Sequence, residues 1–155
     1  MNKQQHILTK ILQKIRVFQG LTVEQAALLI QICRPRNFEA TTQVFEAGDP
    51  STDMLVLVQG KMKVLSKTGQ ELAEVEPGSS TGEMGVFTGQ PRAATIVSAE
   101  KSMALVIDKA SLRNLLDREP VIKAQVLENV VEMLAANLVR ANEQVAKLKT
   151  QVESE

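Results

Sequence analysis

The sequence is poor in the side chains that build metal centres and catalytic sites. It contains one cysteine, Cys33, and one histidine, His6. A single thiol cannot form a disulfide framework, an iron–sulfur cluster or a cysteine-based zinc site. A single imidazole near the N-terminus is equally unsuited to a multi-histidine metal site or to Ser-His-Asp catalysis. The composition therefore argues against an enzyme, and we expect no metal and no resident cofactor.

The sequence also lacks a long apolar run and an excess of charge of one sign. No stretch approaches the roughly 20 apolar residues of a membrane span, and the N-terminal MNKQQHILTK has no apolar core of a signal peptide. Eighteen basic residues balance eighteen acidic ones, so no strong overall field attracts nucleic acid or an anionic membrane. We expect a cytoplasmic protein that contacts neither nucleic acid nor membrane through these residues.

Apolar residues make up 44% of the chain, enough for a hydrophobic core, and their spacing changes along it. Residues 5–33 show helical spacing, and Thr22–Gln25 has the form of a capping box that starts a second helix. From Arg36 to Asp108, short β-rich runs alternate with turn signals such as AGDPST and KTGQ, which is typical of a β-sandwich or barrel. Within it, MLVLV predicts a strand covered on both faces, and only GEMGVFTG fits a helical turn better than a strand.

The region after Asp108 has helical spacing, and Pro120 stands where a helix can begin, because the missing N–H costs nothing there. Apolar residues then recur at alternating steps of four and three: Leu127, Val131, Leu134, Leu138, Ala141, Val145, Leu148 and Val152. Valine-rich a positions with leucine-rich d positions favour two parallel strands. We predict a homodimeric coiled coil through residues 127–152, and a single amphipathic helix packed on its own domain is the alternative.

Together these regions predict an α+β fold that is mainly β. We expect an antiparallel β-barrel or jelly roll, flanked by N-terminal helices and a long C-terminal dimerisation helix. Residues 1–118 would form the β-barrel domain with its N-terminal helices, and residues 119–155 the coiled-coil helix.

The segment STGEMGVFTGQPRAAT carries the chemistry most informative about function. It places the carboxylate of Glu83 nine residues before the guanidinium of Arg92. Gly82 permits a close backbone approach before a helical turn, whose N-terminus suits a phosphate. Arg92 adds a fork of donors that matches two phosphate oxygens, and Ala93 and Ala94 leave their N–H groups accessible. Since a phosphate would repel Glu83, this carboxylate needs a hydroxyl partner such as a ribose 2′-OH. The segment predicts a nucleotide held in a β-barrel pocket.

This segment resembles the phosphate-binding cassette of the cyclic-nucleotide-binding domains, which include the bacterial cAMP receptor or catabolite activator family and the regulatory subunits of cAMP-dependent protein kinase. The likeness continues through KIRVFQGLTVEQAALL, VFEAGDPSTDMLVLVQGKMKVL and AEVEPGSSTGEM, so it covers nearly the whole chain. The resemblance implies a regulatory module that binds a cyclic nucleotide. It favours cAMP, with cGMP as the alternative, because Ala93 stands where cGMP-preferring members often have threonine.

The resemblance also implies roles for individual residues. Glu83 would accept the ribose 2′-OH, and Arg92 would hold the exocyclic phosphate. The further candidate contacts are the backbone of Gly82, Met84 and Ala93 to the sugar and cyclic phosphate, Val64 and Leu72 to ribose and base, and Asn137 and Asn142 to the base. For the two asparagines, solvated positions beside a coiled coil are the alternative.

The bacterial regulators of this family continue into a helix-turn-helix that reads DNA, whereas this sequence reaches Glu155 in its heptad helix without a second recognition helix. We expect a dimeric module without its own DNA-binding domain, acting on a protein partner, or the sensor half of a longer transcription regulator. A dimerisation scaffold without a ligand is a third possibility, and the intact Glu83 and Arg92 pair argues against it. A cupin-type enzyme would need several histidines inside the barrel.

Overall fold

The computed structural model describes residues 1–155 and places helices at both ends of a β-domain. The helices are α1 (Lys3–Lys14), α2 (Val23–Ile32), α3 (Glu83–Thr88), α4 (Lys109–Arg118) and α5 (Pro120–Glu153), with a short 3₁₀ turn at Arg16–Phe18. The strands are β1 (Cys33–Phe38), β2 (Gln43–Phe45), β3 (Asp53–Gln59), β4 (Met62–Leu65), β5 (Glu71–Val75), β6 (Ser80–Thr81), β7 (Thr95–Ser98) and β8 (Ser102–Asp108).

The strands form two four-stranded antiparallel sheets with the orders β1-β8-β3-β6 and β2-β7-β4-β5. A small apolar core joins the sheets and consists of Phe38, Leu55, Leu57, Met62, Val75, Ile96 and Ala104. The predicted fold class is therefore confirmed: the protein is α+β, with a β-domain of two antiparallel sheets, N-terminal helices and a long C-terminal helix.

Strand β3 belongs to two cores at once. Leu55 and Leu57 point into the core between the sheets, whereas Met54 and Val56 point into a larger core formed with the helices. Because successive side chains of a strand lie on opposite faces, a strand covered on both sides must be apolar at every position. The run MLVLV meets this requirement, and the prediction made from it is confirmed.

The N-terminal helices pack against the outer face of the sheet that contains β3. Helix α2 begins with the predicted capping box, in which the Thr22 hydroxyl accepts from the Gln25 N–H at 3.1 Å and the Gln25 side chain accepts from the Thr22 N–H at 2.9 Å. Helix α1 has a second capping box, between Asn2 and Gln5. Both helices share a core of 18 buried residues with β3, β8, α4 and the first half of α5.

The β-region begins earlier than its sequence pattern indicated. We expected helical structure up to residue 33 and β-structure from Arg36, but β1 already begins at Cys33. This strand lies at the edge of its sheet and pairs only with β8, so Pro35 is tolerated there. Its residues 34–37 are all exposed, and the strand therefore shows no alternation of apolar and polar residues. The two-residue strand β6 was also missed.

Helix α5 has a buried first half and an exposed second half. Ile122, Val126, Val130 and Met133 lie in the helical core, and beyond Met133 almost every residue is exposed. Between them, Asn129 is buried, and its amide donates to the carbonyl oxygens of Val17 and Gln19 at 2.9 and 2.8 Å. Although α5 is long, neither it nor any other helix has an apolar stretch sufficient to cross a membrane.

Candidate functional site

Helix α3 and the loop after it close one side of a cavity of about 310 Å³ between β6 and β7. This volume lies at the lower end of the range of about 300–1,000 Å³ that is usual for small-molecule sites. Sixteen residues line it, and among them only Glu83 and Arg92 carry a charge. No group of three or more His, Cys, Asp or Glu side chains in the protein is arranged to hold a metal ion.

The structure brings six of the nine predicted site residues to this cavity. Val64 lies on β4, and the others lie on the segment around α3: Gly82, Glu83, Met84, Arg92 and Ala93. Asn137 and Asn142 lie on the exposed half of α5 and do not line the cavity. Asn137 instead accepts a hydrogen bond from Arg140.

Leu72 also lies outside the cavity, and its side chain is 59% exposed. In the β4–β5 pair, Val64 is opposite Ala73 whereas Leu65 is opposite Glu71, so β5 has one extra residue at this point. That residue is Leu72, which is the unpaired residue of a β-bulge. Strand β5 also lies at the edge of its sheet, and its residues 71–74 are all exposed, so a position expected to contact the ligand lies at the surface.

Gly82 is required both by its backbone conformation and by the space beside it. It precedes α3 with φ 84° and ψ 1°, in the left-handed region that favours glycine. A Cβ placed on Gly82 would lie 2.7 Å from Nη1 of Arg92 and 3.1 Å from Cε2 of Phe45. Because Gly82 has no side chain, the Arg92 guanidinium can occupy this space.

Arg92 is held in place before any ligand arrives. Its side chain is 6% exposed, and its Nη1 and Nη2 donate to the carbonyl oxygen and to Oδ1 of Asp53, each at 2.6 Å. The guanidinium also lies 3.5 Å from the centroid of the Phe45 ring. These contacts use two of the five N–H donors of an arginine side chain, which leaves donors for a second acceptor.

The backbone around Arg92 is equally fixed. Its N–H donates to the Asp49 carbonyl and its carbonyl accepts from the Gly48 N–H, both at 2.8 Å. Nearby, the buried Ser51 hydroxyl donates to the Gln90 carbonyl at 2.7 Å. A Cβ on Gly85 would overlap the Ser51 side chain, so the second glycine of GEMG gives α3 room to approach the loop at residues 48–52.

Sequence reasoning missed Asp53, Phe45 and Ser51, although all three fix the cassette. The signal available for Asp53 was its place directly before the buried strand run. The turn GDPSTD offers a second carboxylate, at Asp49, and only the fold decides which one meets Arg92. Arg92 therefore forms an ion pair within the protein, but its partner is Asp53 and not Glu83.

Glu83 is the second charged residue of the cavity, and its carboxylate lacks a full set of partners. Its Oε2 is buried without a hydrogen bond. Burial raises the pKa of Glu83, an effect partly offset by its own backbone N–H and by the Ser80 hydroxyl. A buried acceptor without a donor costs free energy, and a ligand hydroxyl in the cavity would supply the missing donor.

The family model of the cyclic nucleotide-binding domain matches residues 35–119, which include most of β1, the whole cavity and α4. The chain belongs to this family. The resemblance inferred from the cassette residues is thereby confirmed.

Individual relatives agree with this assignment. The chain is 28% identical over 145 residues to a CRP-like cAMP-activated global transcriptional regulator of Mycobacterium tuberculosis, covering 91% of this chain and 63% of that protein. A cyclic nucleotide-binding domain from Methylobacillus flagellatus has a TM-score of 0.77 at 24% identity, covering 92% of this chain and 83% of that one. The catabolite activator protein of Thermus thermophilus has a TM-score of 0.75 at 26% identity, covering 86% of this chain and 63% of that one. The chain thus covers less than two thirds of the length of the Mycobacterium tuberculosis regulator and of the Thermus thermophilus catabolite activator protein.

Replacing Gly82 by alanine is expected to weaken binding of a cyclic nucleotide about tenfold, because the new methyl group displaces the Arg92 guanidinium. Gly78→Ala is a matched control. Gly78 has φ 88°, close to that of Gly82, but a Cβ there meets nothing within 4 Å. Both variants carry the backbone strain of about 1–2 kcal/mol, so both lower the unfolding temperature, and only Gly82→Ala loses affinity in calorimetry. Equal losses of affinity would show that strain, and not the guanidinium, matters.

Proposed function

We propose that this member of the cyclic nucleotide-binding domain family is a regulatory module whose ligand is cAMP. The observation that carries the proposal is the pairing, in one cavity, of a buried carboxylate oxygen without a donor on Glu83 and a buried guanidinium on Arg92. A cyclic nucleotide brings a hydroxyl donor and an anionic phosphate on one rigid sugar, so it complements both groups at once.

Each group acts on a different part of the ligand. Arg92 donates its remaining N–H groups to the exocyclic phosphate oxygens, while Glu83 accepts from the ribose 2′-OH. Ala93, which follows Arg92, offers no hydroxyl to a guanine amino group, and this supports adenine over guanine. Val64 and Ile96 supply apolar wall to the same cavity.

Calorimetry with cAMP, cGMP and 2′-deoxy-cAMP tests the proposal. We expect cAMP to bind most tightly and 2′-deoxy-cAMP to bind about tenfold more weakly than cAMP, since it lacks the hydroxyl that Glu83 needs. If none of the three binds, the protein is not a cyclic-nucleotide sensor, and the scaffold alternative takes its place.

The raised pKa of Glu83 makes ligand binding pH-dependent. A ligand hydroxyl stabilises the ionised carboxylate and so lowers the pKa that burial had raised above 4.5. Binding therefore releases a proton from Glu83 at pH values within that raised range. We expect cAMP affinity to fall as the pH is lowered through the raised pKa of the ligand-free protein. In Glu83→Gln the affinity is about tenfold lower at neutral pH, and this part of the pH dependence is lost.

Glu83 also makes the stability of the ligand-free protein pH-dependent. With rising pH the stability falls, whereas the cAMP affinity rises. Because the pKa of Glu83 in the folded, ligand-free protein lies above its unfolded value, the unfolding free energy falls as the pH rises from 4.5 through the raised pKa. Glu83→Gln removes this loss, so the ligand-free variant is expected to gain thermal stability relative to wild type as the pH rises. Glu143→Gln, at an exposed site on α5, is the control and gains nothing.

We propose further that the protein is a homodimer through the apolar heptad stripe of α5, residues 127–152. Its heptad residues are 43–71% exposed in one chain, and these residues are Leu127, Val131, Leu134, Leu138, Val145, Leu148 and Val152. An apolar stripe of this length on a solvent-exposed helix requires a cover. The alternating four-three spacing supports a second copy of the same helix as that cover.

Asn137 and Asn142 flank this stripe at heptad positions g and e. In a parallel pair, position g of one helix faces the following e position of the other, so Asn137 of one copy would lie near Asn142 of the second. Neither residue lines the cavity of its own chain, and their contact with the base remains a prediction that needs the second copy or a movement of α5.

A further inference from the structure

The cavity contains very little positive charge. Arg92 is the only basic residue among those that line it, and its guanidinium is already paired with the Asp53 carboxylate at 2.6 Å. We propose that Asp53 is a specificity-determining residue that makes the site select a singly charged cyclic phosphodiester over the doubly charged phosphate monoester of the same nucleoside. The inference rests on the proposed function, because it concerns how that site reads the phosphate.

Asp53 is held where its charge acts strongly. It is the first residue of β3, where its backbone is paired with Asp108 of β8, and its carbonyl oxygen as well as its carboxylate accepts from Arg92. The side chains of Arg92 and Asp53 are only 6% and 27% exposed. Charges in such a place are screened less by water and salt than charges at the surface.

The charge balance then favours one class of ligand. Arg92 and Asp53 together are neutral. A phosphodiester therefore brings the site to one net negative charge. A phosphate monoester above its second pKa of about 6 brings it close to two. No second basic residue lines the cavity to balance the added charge, and the carboxylate of Glu83 lies in the same cavity. The additional negative charge of the monoester is therefore repelled by Asp53.

The chain offers a matched control for this effect. Asp49 lies in the same turn and lines the polar cavity on the other side of the guanidinium together with Glu46 and Asp53. Its side chain makes no hydrogen bond or ion pair with Arg92, which contacts Asp49 only through the backbone. Asp49→Asn thus removes the same charge from the same turn without removing the partner of Arg92.

Calorimetry with three adenine ligands of increasing negative charge tests the proposal: adenosine, cAMP and adenosine 5′-monophosphate. At about pH 8, Asp53→Asn is expected to raise the affinity for the monophosphate relative to cAMP about tenfold, from the loss of one repulsive charge, and to leave adenosine affinity unchanged. Asp49→Asn leaves the ratio unchanged. A displaced Arg92 would weaken the doubly charged monophosphate at least as much as cAMP, so it cannot produce the expected rise in the ratio.

A second measurement changes the charge of the ligand through the pH. Between about pH 8 and pH 5, the monophosphate passes from two charges to one, so in the wild-type protein its disadvantage against cAMP should shrink about tenfold. The disadvantage should shrink in Glu83→Gln as well, because any protonation of Glu83 at low pH also removes a negative charge from the cavity.

The outcomes separate the two proposals. If wild type binds cAMP but Asp53→Asn leaves the ratio unchanged, or if Asp49→Asn shifts it equally, the role of Asp53 is wrong and the proposed function stands. If wild type binds neither nucleotide, both proposals are wrong.

Discussion

Arg92→Ala is expected to weaken cAMP binding by about 30- to 150-fold. A hydrogen-bonded contact between a guanidinium and a phosphate contributes about 2–3 kcal/mol, and each 1.4 kcal/mol corresponds to a factor of about ten. The buried position of Arg92, 7% exposed, supports the upper part of this range, because water replaces the lost contact poorly. Isothermal calorimetry on the purified protein measures the change directly.

Two further variants distinguish a binding role of Arg92 from a structural one. Truncation also leaves Asp53 without its partner and uncovers the Phe45 ring, so the unfolding free energy of Arg92→Ala should fall by about 1–3 kcal/mol. Arg92→Lys keeps the positive charge without the planar fork and should bind with intermediate affinity. Arg113→Ala, at an exposed site outside the cavity, should bind like wild type. An unchanged affinity in a folded Arg92→Ala protein contradicts the assignment of the site.

Leu134→Glu is expected to convert the proposed homodimer to a monomer at micromolar concentrations. Leu134 occupies a d position, where its counterpart on the second helix lies opposite, so the change removes two apolar side chains and brings two carboxylates together. Loss of a buried leucine costs about 2–5 kcal/mol, which corresponds to a rise of about 30-fold or more in the dissociation constant. Sedimentation velocity over a range of concentrations measures it.

Val139→Glu is the matched control for the dimer. Val139 is 56% exposed on the same half of α5, yet it stands at heptad position b, away from the predicted seam. The variant introduces the same charge without touching the interface, and it should remain dimeric. A dimeric Leu134→Glu protein, or equal disruption by both variants, is incompatible with the heptad interface.

Where the structure follows from the sequence, the determining interactions are local. The capping box at Thr22 needs only residues three apart, and Pro120 marks the start of α5 by its own geometry. The two-sided run in β3 needs only the alternation of a strand. The cassette is similarly local, since Gly82, Glu83 and Arg92 lie within one short segment, and the residues themselves indicate a phosphate and a hydroxyl.

Where the structure could not be predicted, the decisive contacts are long-range. Asp53 and Arg92 are 39 positions apart, and no spacing rule chooses Asp53 over Asp49. Leu72 is exposed on an edge strand and lies at a bulge, and both features are defined only by how β5 pairs with β4. Strand β1 does not alternate between apolar and polar residues, because it lies at the edge of its sheet. Only its pairing with β8 identifies it as a strand.

The buried Asn129 has a mechanical consequence. Its amide is bonded to two carbonyl groups that lie 112 and 110 positions earlier in the chain, at Val17 and Gln19. If α5 rotated alone, the buried Val17 carbonyl would lose its donor inside the core, at a cost of about 1–3 kcal/mol, and the bond to the more exposed Gln19 carbonyl would also break. The N-terminal segment and the first half of α5 are therefore mechanically coupled, and a rotation of α5 would be transmitted to the N-terminal segment.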